Sequence, residues 1–387
     1  MKTTFKIKMS NIWLYIILIP FIYPKGFSEY FLGYKRVFTN WLYISIILII
    51  VYFLFEFCIG KIKVKKCFGY LFGYFILMIL ETLINMGEIS EGLQKIFATP
   101  ALCMICIILF QQDRFQLVNV LGNILLVINA LNCTLFCPYI FRKMVNDVGN
   151  DLIIFSGHVQ TAAQIGTLSV FIAILLYREQ RRYKAYALML FGIATMLISK
   201  TQASYGCLLI LVMSFLFRKI FIKYISKIKT NYIFNSMIMV NIITIVIVLT
   251  EKISFGARYY IWIEIVNKLK NHWLLGYGVY GILINPFWVQ WTNGGVGMNY
   301  AHNELLQHLI DGGIVLTIAF ILMVNRLVRN INNISDSKII YWSNICLLMY
   351  MVDAVCDVVS EYNFVYIFWI LLAFIPEILN SREEIKV

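Results

Sequence analysis

Apolar residues in this chain come in long unbroken windows rather than in stripes. A bilayer core is crossed by roughly 20 apolar residues in a helix. Windows of that kind recur near residues 11–30, 38–59, 68–87, 96–111, 115–137, 161–177, 185–199, 203–217, 232–250, 308–325, 338–356 and 362–379, about twelve in all. Strands of a barrel would instead show short alternating segments. The pattern therefore predicts an all-α, polytopic integral membrane protein whose backbone polar groups are satisfied within each helix. Composition agrees, because 61% hydrophobic and 14% charged residues compare with about a quarter charged in soluble domains.

Charge refines the picture. With the N-terminus inside, 22 of the 33 basic residues fall on the cytoplasmic side, chiefly at Lys61–Lys66, Arg178–Lys184, Arg218–Lys229 and Arg326–Lys338. The positive-inside rule then predicts an even number of spans with both termini cytoplasmic. The net charge of +13 reads as membrane topology. Nucleic acid is not called for as a partner, since the basic residues are dispersed among short loops. The Lys-rich start with its apolar core lacks a small-residue cleavage site and is expected to be a retained anchor. Cys133 and Cys137 stand one helical turn apart, too splayed for an unstrained bridge, and Cys103 with Cys106 form a CxxC mid-span without a redox fold around it.

One segment breaks the run of short loops. Between the span ending near Thr250 and the span beginning near His308 lie some fifty residues, too aromatic for disorder, with Tyr259, Trp262, Trp273, Tyr277, Phe287, Trp288, Trp291 and Tyr300 among them. Three segments follow: N-terminal transmembrane helices over 1–250, an extracytoplasmic catalytic loop over 251–307, and C-terminal transmembrane helices over 308–387. Within the loop, Ile261, Trp262, Ile265, Val266 and Leu269 recur at helical spacing and predict an amphipathic helix over about 257–271, with Arg258 in its first turn. A second helix is expected from near His302 into the tenth span.

The candidate chemistry sits in that loop. Asn299 to Gln307 (Asn-Tyr-Ala-His-Asn-Glu-Leu-Leu-Gln) puts a polar, titratable cluster at the mouth of a span, where ionisable groups are costly unless partnered or functional. His302 reads as a helix cap or as a titrating catalytic group; Arg258 reads as a snorkelling anchor or as a bidentate phosphate clamp. His302 and His308, six residues apart, do not share a helix face, which disfavours zinc, and no paired acidic motif is present to hold magnesium. Gly276-Tyr277-Gly278-Val279-Tyr280-Gly281 satisfies G-x-G-x-x-G without the βαβ unit a dinucleotide needs, and is expected to be a turn. Ser199 to Gly206 forms a polar hinge between two short spans, the mark of a lined cavity. Asp353, Asp357 and Glu361 gather at the outer end of the eleventh span, a pattern expected of a solvated helix end more often than of a base.

The order of these features resembles the O-antigen polymerase and ligase superfamily of membrane glycosyltransferases. The residues that carry the resemblance are Ser199-Lys200-Thr201, Gly256-Ala257-Arg258 with Trp262, Leu275-Gly276-Tyr277-Gly278, and Ala301-His302-Asn303-Glu304-Leu305-Leu306-Gln307 followed by Asp311-Gly312-Gly313-Ile314. Two departures stand out: lysine at 200 where the family commonly has arginine, and Gly-Ala-Arg in place of Ser/Gly-Arg.

The resemblance implies transfer of undecaprenyl-diphosphate-linked oligosaccharide units onto an acceptor glycan at the outer face of a bacterial cell membrane. The product would be a capsule, exopolysaccharide or O-antigen chain, formed with inversion and without metal or other cofactor. It gives His302 and Arg258 as catalytic residues, and Lys200, Asn303, Glu304, Gln307, Ser199 and Gln202 as substrate-binding residues. In that reading Arg258 and Lys200 hold the diphosphate, and Asn303 and Glu304 orient His302. A flippase and a chain-length regulator are the partner proteins implied beside the lipid bilayer. Two alternatives remain at the level of sequence: ligation of finished glycan to a lipid, protein or wall acceptor, and flipping of the lipid-linked sugar. Flipping predicts paired broken helices in both halves of the chain.

Overall fold

A computed structural model describes residues 9–22, 32–62, 64–85, 94–112, 114–135, 153–155, 157–253, 258–284, 300–361 and 363–380. Helices follow one another as α1 (Met9–Leu18), α2 (Leu32–Cys58), α3 (Lys66–Ile84), α4 (Thr99–Gln112), α5 (Arg114–Cys133), α6 (Thr161–Arg178), α7 (Arg182–Ser199), α8 (Gln202–Leu216), α9 (Arg218–Ile225), α10 (Thr230–Thr250), α11 (Arg258–Leu269), α12 (Glu304–Val328), α13 (Ser337–Cys356) and α14 (Asn363–Asn380). Strand pairing among the described residues is confined to Ile153–Ile154 against Gly157–His158.

The described parts of all twelve apolar windows fall on helices. Among the described residues, seven helical segments are long and apolar enough to cross a membrane, eight if α8 and α9, bent by 99°, count as one. The remaining windows fall on shorter apolar helices or on α7, whose first turns carry Arg182 and Lys184. The spans are inverted relative to soluble helices. On α10, Met239, Val240, Ile243, Val246 and Ile247 face outward while Asn241 is fully buried. Such a face needs hydrocarbon as its solvent.

The chain forms two compact units interleaved along the sequence, Met1–Ile62 with Ala101–Lys200, and Lys63–Pro100 with Thr201–Val387. In the first, α6 is buried almost throughout, between α5 and α7. A Cβ at Gly192 on α7 would stand 2.9 Å from the Ser169 Cβ, so the two helices meet nearly backbone to backbone. Asn129 Nδ2 donates to Ser169 Oγ at 2.8 Å, and that hydroxyl donates to the Ile165 carbonyl at 2.7 Å.

The second unit is built around α12, which packs against α3, α10, α11, α13 and α14. Its start is defined by Asn303, whose side chain accepts from Leu306 N at 3.1 Å, as Asp336 does for α13 and Thr201 for α8. The core below is aromatic: His308 and Phe320 lie 4.1 Å apart, and Phe234 stands edge-on to Trp369 at 6.4 Å.

Helix α12 is broken inside its span. Gly312 (φ −151°, ψ 23°) and Gly313 (φ 62°, ψ −159°) leave the helical region, which frees backbone groups that lipid cannot satisfy. The segment after α11 takes them up: Ile314 N donates to Trp273 O at 2.9 Å, Val315 N to Leu274 O at 3.3 Å, and Tyr277 N to Ile310 O at 2.8 Å. Only glycine permits this approach. A Cβ on Gly276 would lie 2.6 Å from Gly312 N, and one on Gly313 2.2 Å from Leu274 O. The inserted segment is tied to α3 by Asn85 Nδ2 donating to Leu275 O at 3.1 Å and Val279 N to Thr82 Oγ1 at 3.2 Å. The G-x-G-x-x-G run is thus a turn, with Gly276 and Gly278 at positive φ.

Gly313→Ala combines a disfavoured backbone region with a backbone clash and should destabilise the protein by about 3 kcal/mol or more. Gly69→Ala on α3, which has open space around it, should leave stability unchanged or raise it by up to about 1 kcal/mol. Thermal unfolding of the two variants in the same detergent compares them directly.

Candidate functional site

His302 is held by its neighbours rather than by the helix it precedes. The Trp262 indole N–H donates to the Ala301 carbonyl at 3.1 Å, and Ala301 N donates to Gln307 Oε1 at 2.8 Å. Asn303 caps α12 and donates to Asn241 Oδ1 at 2.7 Å and to the Val355 carbonyl at 3.2 Å. Between these fixed points His302 sits at φ 50°, a left-handed conformation that persists only where its surroundings impose it.

The ring meets an acid. His302 Nδ1 lies 3.6 Å from Asp357 Oδ1, with the histidine side chain 25% exposed and the aspartate 2%. The Tyr300 hydroxyl donates to the same oxygen at 2.7 Å, and its ring stands edge-on to the imidazole at 4.8 Å. Neither His302 Nδ1 nor Asp357 Oδ2 has a hydrogen-bond partner among the described residues. A shift of about half an ångström would close an N–H···O bond here, and catalytic hydrogen bonds are often long before substrate binds.

Arg258, the first residue of α11, reaches the residue before Asp357. Its Nε and Nη2 donate to the Cys356 carbonyl at 3.0 and 2.7 Å, capping the C-terminal end of α13. The two residues expected to be catalytic therefore converge on Cys356 and Asp357. Contrary to the expected solvated helix end, the acids here are buried: Asp353 and Asp357 are 1% and 2% exposed. The side chain of Glu361 lies outside the described residues.

Other expected partners turn inward. Glu304 is 2% exposed; it accepts from Ser360 N at 3.0 Å and pairs with His308 Nε2 at 3.0 Å, while His308 Nδ1 faces the Tyr74 hydroxyl at 3.3 Å. Gln307 Nε2 donates to Asp311 Oδ1 at 2.9 Å. Asn303, Glu304 and Gln307 thus brace the segment from behind, and the group facing the imidazole is Asp357, not Glu304. The reason is rotational: Glu304 points along its own helix to His308 at i+4.

Ser199 and Lys200 end the first unit, and Gln202 opens α8 in the second. Ser199 is buried, its hydroxyl donating to the Met196 carbonyl at 2.8 Å. Lys200 takes the left-handed corner (φ 55°) that closes α7. The expected amphipathic helix is present as α11, with Ile261, Trp262, Ile265 and Leu269 buried and Val266 36% exposed. Gly256, Ala257, Phe287, Trp288 and Trp291 lie outside the described residues.

Spacing alone could have revealed the Glu304–His308 and Gln307–Asp311 pairs, each at i, i+4 on one helix. The Asp357–His302 approach joins residues 55 positions apart in sequence, and no local pattern encodes it. Among the described residues, no group of three His, Cys, Asp or Glu is disposed to hold a metal ion.

The fold and site define an all-α, multi-pass membrane protein with a polar, histidine-bearing cluster at the mouth of a broken helix. Residues 151–321 match the family model described as O-Antigen ligase, which supports assignment to the O-antigen polymerase and ligase superfamily of glycosyltransferase-like membrane enzymes. No curated protein and no solved structure matches the chain.

Removing Glu304 leaves His308 and Ser360 N buried without their partner, so Glu304→Ala should cost about 3–5 kcal/mol and deplete folded protein in detergent chromatography. His302→Ala, at a partly exposed position, should elute as wild type does.

Proposed function

We propose that the protein is a polysaccharide polymerase that transfers undecaprenyl-diphosphate-linked oligosaccharide repeat units onto an acceptor glycan at the outer membrane face. The observation that carries this reading is the convergence of a partly exposed His302 with buried Asp357 and the cationic Arg258 on two consecutive residues at one end of α13. Family membership supports the lipid-linked donor, and both termini are then cytoplasmic in a bacterial cell membrane.

In this mechanism the acceptor hydroxyl lies against His302 Nε2, which takes its proton as the oxygen attacks the anomeric carbon from the face opposite the diphosphate. The bond from that carbon to the phosphate oxygen breaks, undecaprenyl diphosphate departs, and configuration inverts. Asp357 steadies the imidazolium that forms and keeps Nε2 turned to the acceptor. Arg258 supplies positive charge to the leaving diphosphate. No metal is needed, because the leaving group is already activated as a diphosphate.

A second reading, transfer of finished glycan to a lipid, protein or wall acceptor, is favoured by the description of the matched family as a ligase. Product analysis separates the two: chain lengthening by repeat units marks a polymerase, and a single transfer of full-length glycan marks a ligase.

With lipid-linked oligosaccharide and purified enzyme, His302→Ala should lose about 10²–10⁴-fold in rate, the typical contribution of positioned proton transfer. Arg258→Ala should lose roughly tenfold or more, as one charge-assisted contact is worth about 1.5–3 kcal/mol. Asp357→Asn should fall between wild type and His302→Ala. Normal chain lengthening by folded His302→Ala and Arg258→Ala would sink the assignment.

A further inference from the structure

At the opposite end of α12 from His302, two spans bring their basic ends together. A pocket of about 360 Å³ is lined there by Lys229 before α10, Arg326 and Arg329 at the end of α12, and the amides Asn231, Asn325, Asn332 and Asn333. No acidic side chain is among the described lining residues, and Lys229, Arg326 and Arg329 form no ion pair within the described part of the chain. A cationic concavity without a counter-charge has its complement elsewhere.

Its walls are organised. Asn332 Oδ1 accepts from Thr230 N at 2.8 Å while its Nδ2 donates to Asn231 Oδ1 at 2.9 Å, and Asn325 Nδ2 donates to Asn235 Oδ1 at 2.9 Å. These bonds lace the start of α10 to the end of α12. The Arg326 guanidinium lies 4.9 Å from the Tyr70 ring centroid on α3, which holds it by cation–π attraction.

Depth and surroundings name the ligand. The lining residues stand at the ends of the spans Thr230–Thr250 and Glu304–Asn333, the level at which head groups meet a bilayer. On α12 the exposed Ile318 and Leu322 precede Arg326 at four-residue steps, so an apolar strip leads from the hydrocarbon to the pocket on one helix face. We propose that this pocket binds a phosphate-bearing anion, specifically the head group of an anionic phospholipid whose chains lie along that strip. Arginine forks and amide donors suit phosphate oxygens, and basic pockets between spans on the cytoplasmic side are where such head groups bind. The positive-inside rule explains basic residues in loops; it does not explain why they line one cavity with four asparagines.

The test uses the purified full-length protein in neutral detergent, titrated with phosphatidylglycerol, phosphatidylcholine or inorganic phosphate and read by native mass spectrometry. Phosphatidylglycerol should bind roughly tenfold or more tightly than phosphatidylcholine. Arg326→Gln/Arg329→Gln should lose about tenfold in phosphatidylglycerol affinity. Lys219→Gln/Lys223→Gln removes the same charge from α9, where no residue is buried, and should lose far less. Asn333→Asp keeps both arginines and the Tyr70 contact and should also weaken binding by about tenfold. Equal losses in the two double variants would reduce the effect to diffuse charge and overturn the site. Equal binding of phosphatidylcholine, or an unaffected Asn333→Asp variant, would overturn it too. Inorganic phosphate binding as tightly as the lipid would overturn the lipid assignment in favour of a soluble phosphate.

Discussion

A peptide group inside hydrocarbon must find a partner, and the second unit is organised around the place where a span fails to supply its own. At Gly312 and Gly313 helix α12 stops, and the segment from Trp273 to Tyr277 lends three backbone bonds in place of the helical ones. That exchange fixes more than the break. It pulls the end of α11 and the turn after it against α3 and α12, so that Trp262 reaches Ala301 and Arg258 reaches Cys356. Positions far apart in the chain become one rigid surround for His302 because a few peptide groups have no water to turn to.

Rigidity at His302 has a cost that its neighbours offset. A left-handed residue followed by an extended Asn303 is an unfavourable start to a helix, typically by about 1–3 kcal/mol. Asn303 recovers part of this by capping α12 and bonding two further elements, and Glu304 and Gln307 add buried hydrogen bonds immediately after. Asn303, Glu304 and Gln307 thus hold in place the segment that carries the partly exposed His302. The arrangement resembles the common logic of active sites, in which an exposed reactive group is held by a buried and fully engaged second layer.

The architecture was largely legible in the sequence because the bilayer imposes one dominant period. The described part of every apolar window lies on a helix, and α11 was visible from Ile261, Trp262, Ile265 and Leu269. The break in α12 was not, although Gly312 and Gly313 were in plain view: two glycines in an apolar run are compatible with a continuous span, and only the docking of Gly276 turns them into a break. At the site, His302 and Arg258 were legible as polar exceptions at a membrane edge, but their meeting on Cys356 and Asp357 depends on how α13 ends against α11, a tertiary fact. Glu304 turns to the i+4 position on its own helix, where His308 stands, a pairing that the sequence neighbourhood of His302 did not bring forward.

The glycine pair also separates the two halves of α12 in rotational phase. In a continuous helix, each side chain's direction is set by every residue before it at about 100° per step, so the face chosen by Glu304, Gln307, His308 and Asp311 would dictate which face carries Ile318, Leu322 and Arg326. With the break between them, the upper half is aligned by its buried polar bonds and the lower half by its lipid-facing strip, each on its own terms. An insertion or deletion below Gly313 would turn the lower half against the bundle while the segment around His302 kept its register, which makes the two ends of this one span separate units of sequence variation.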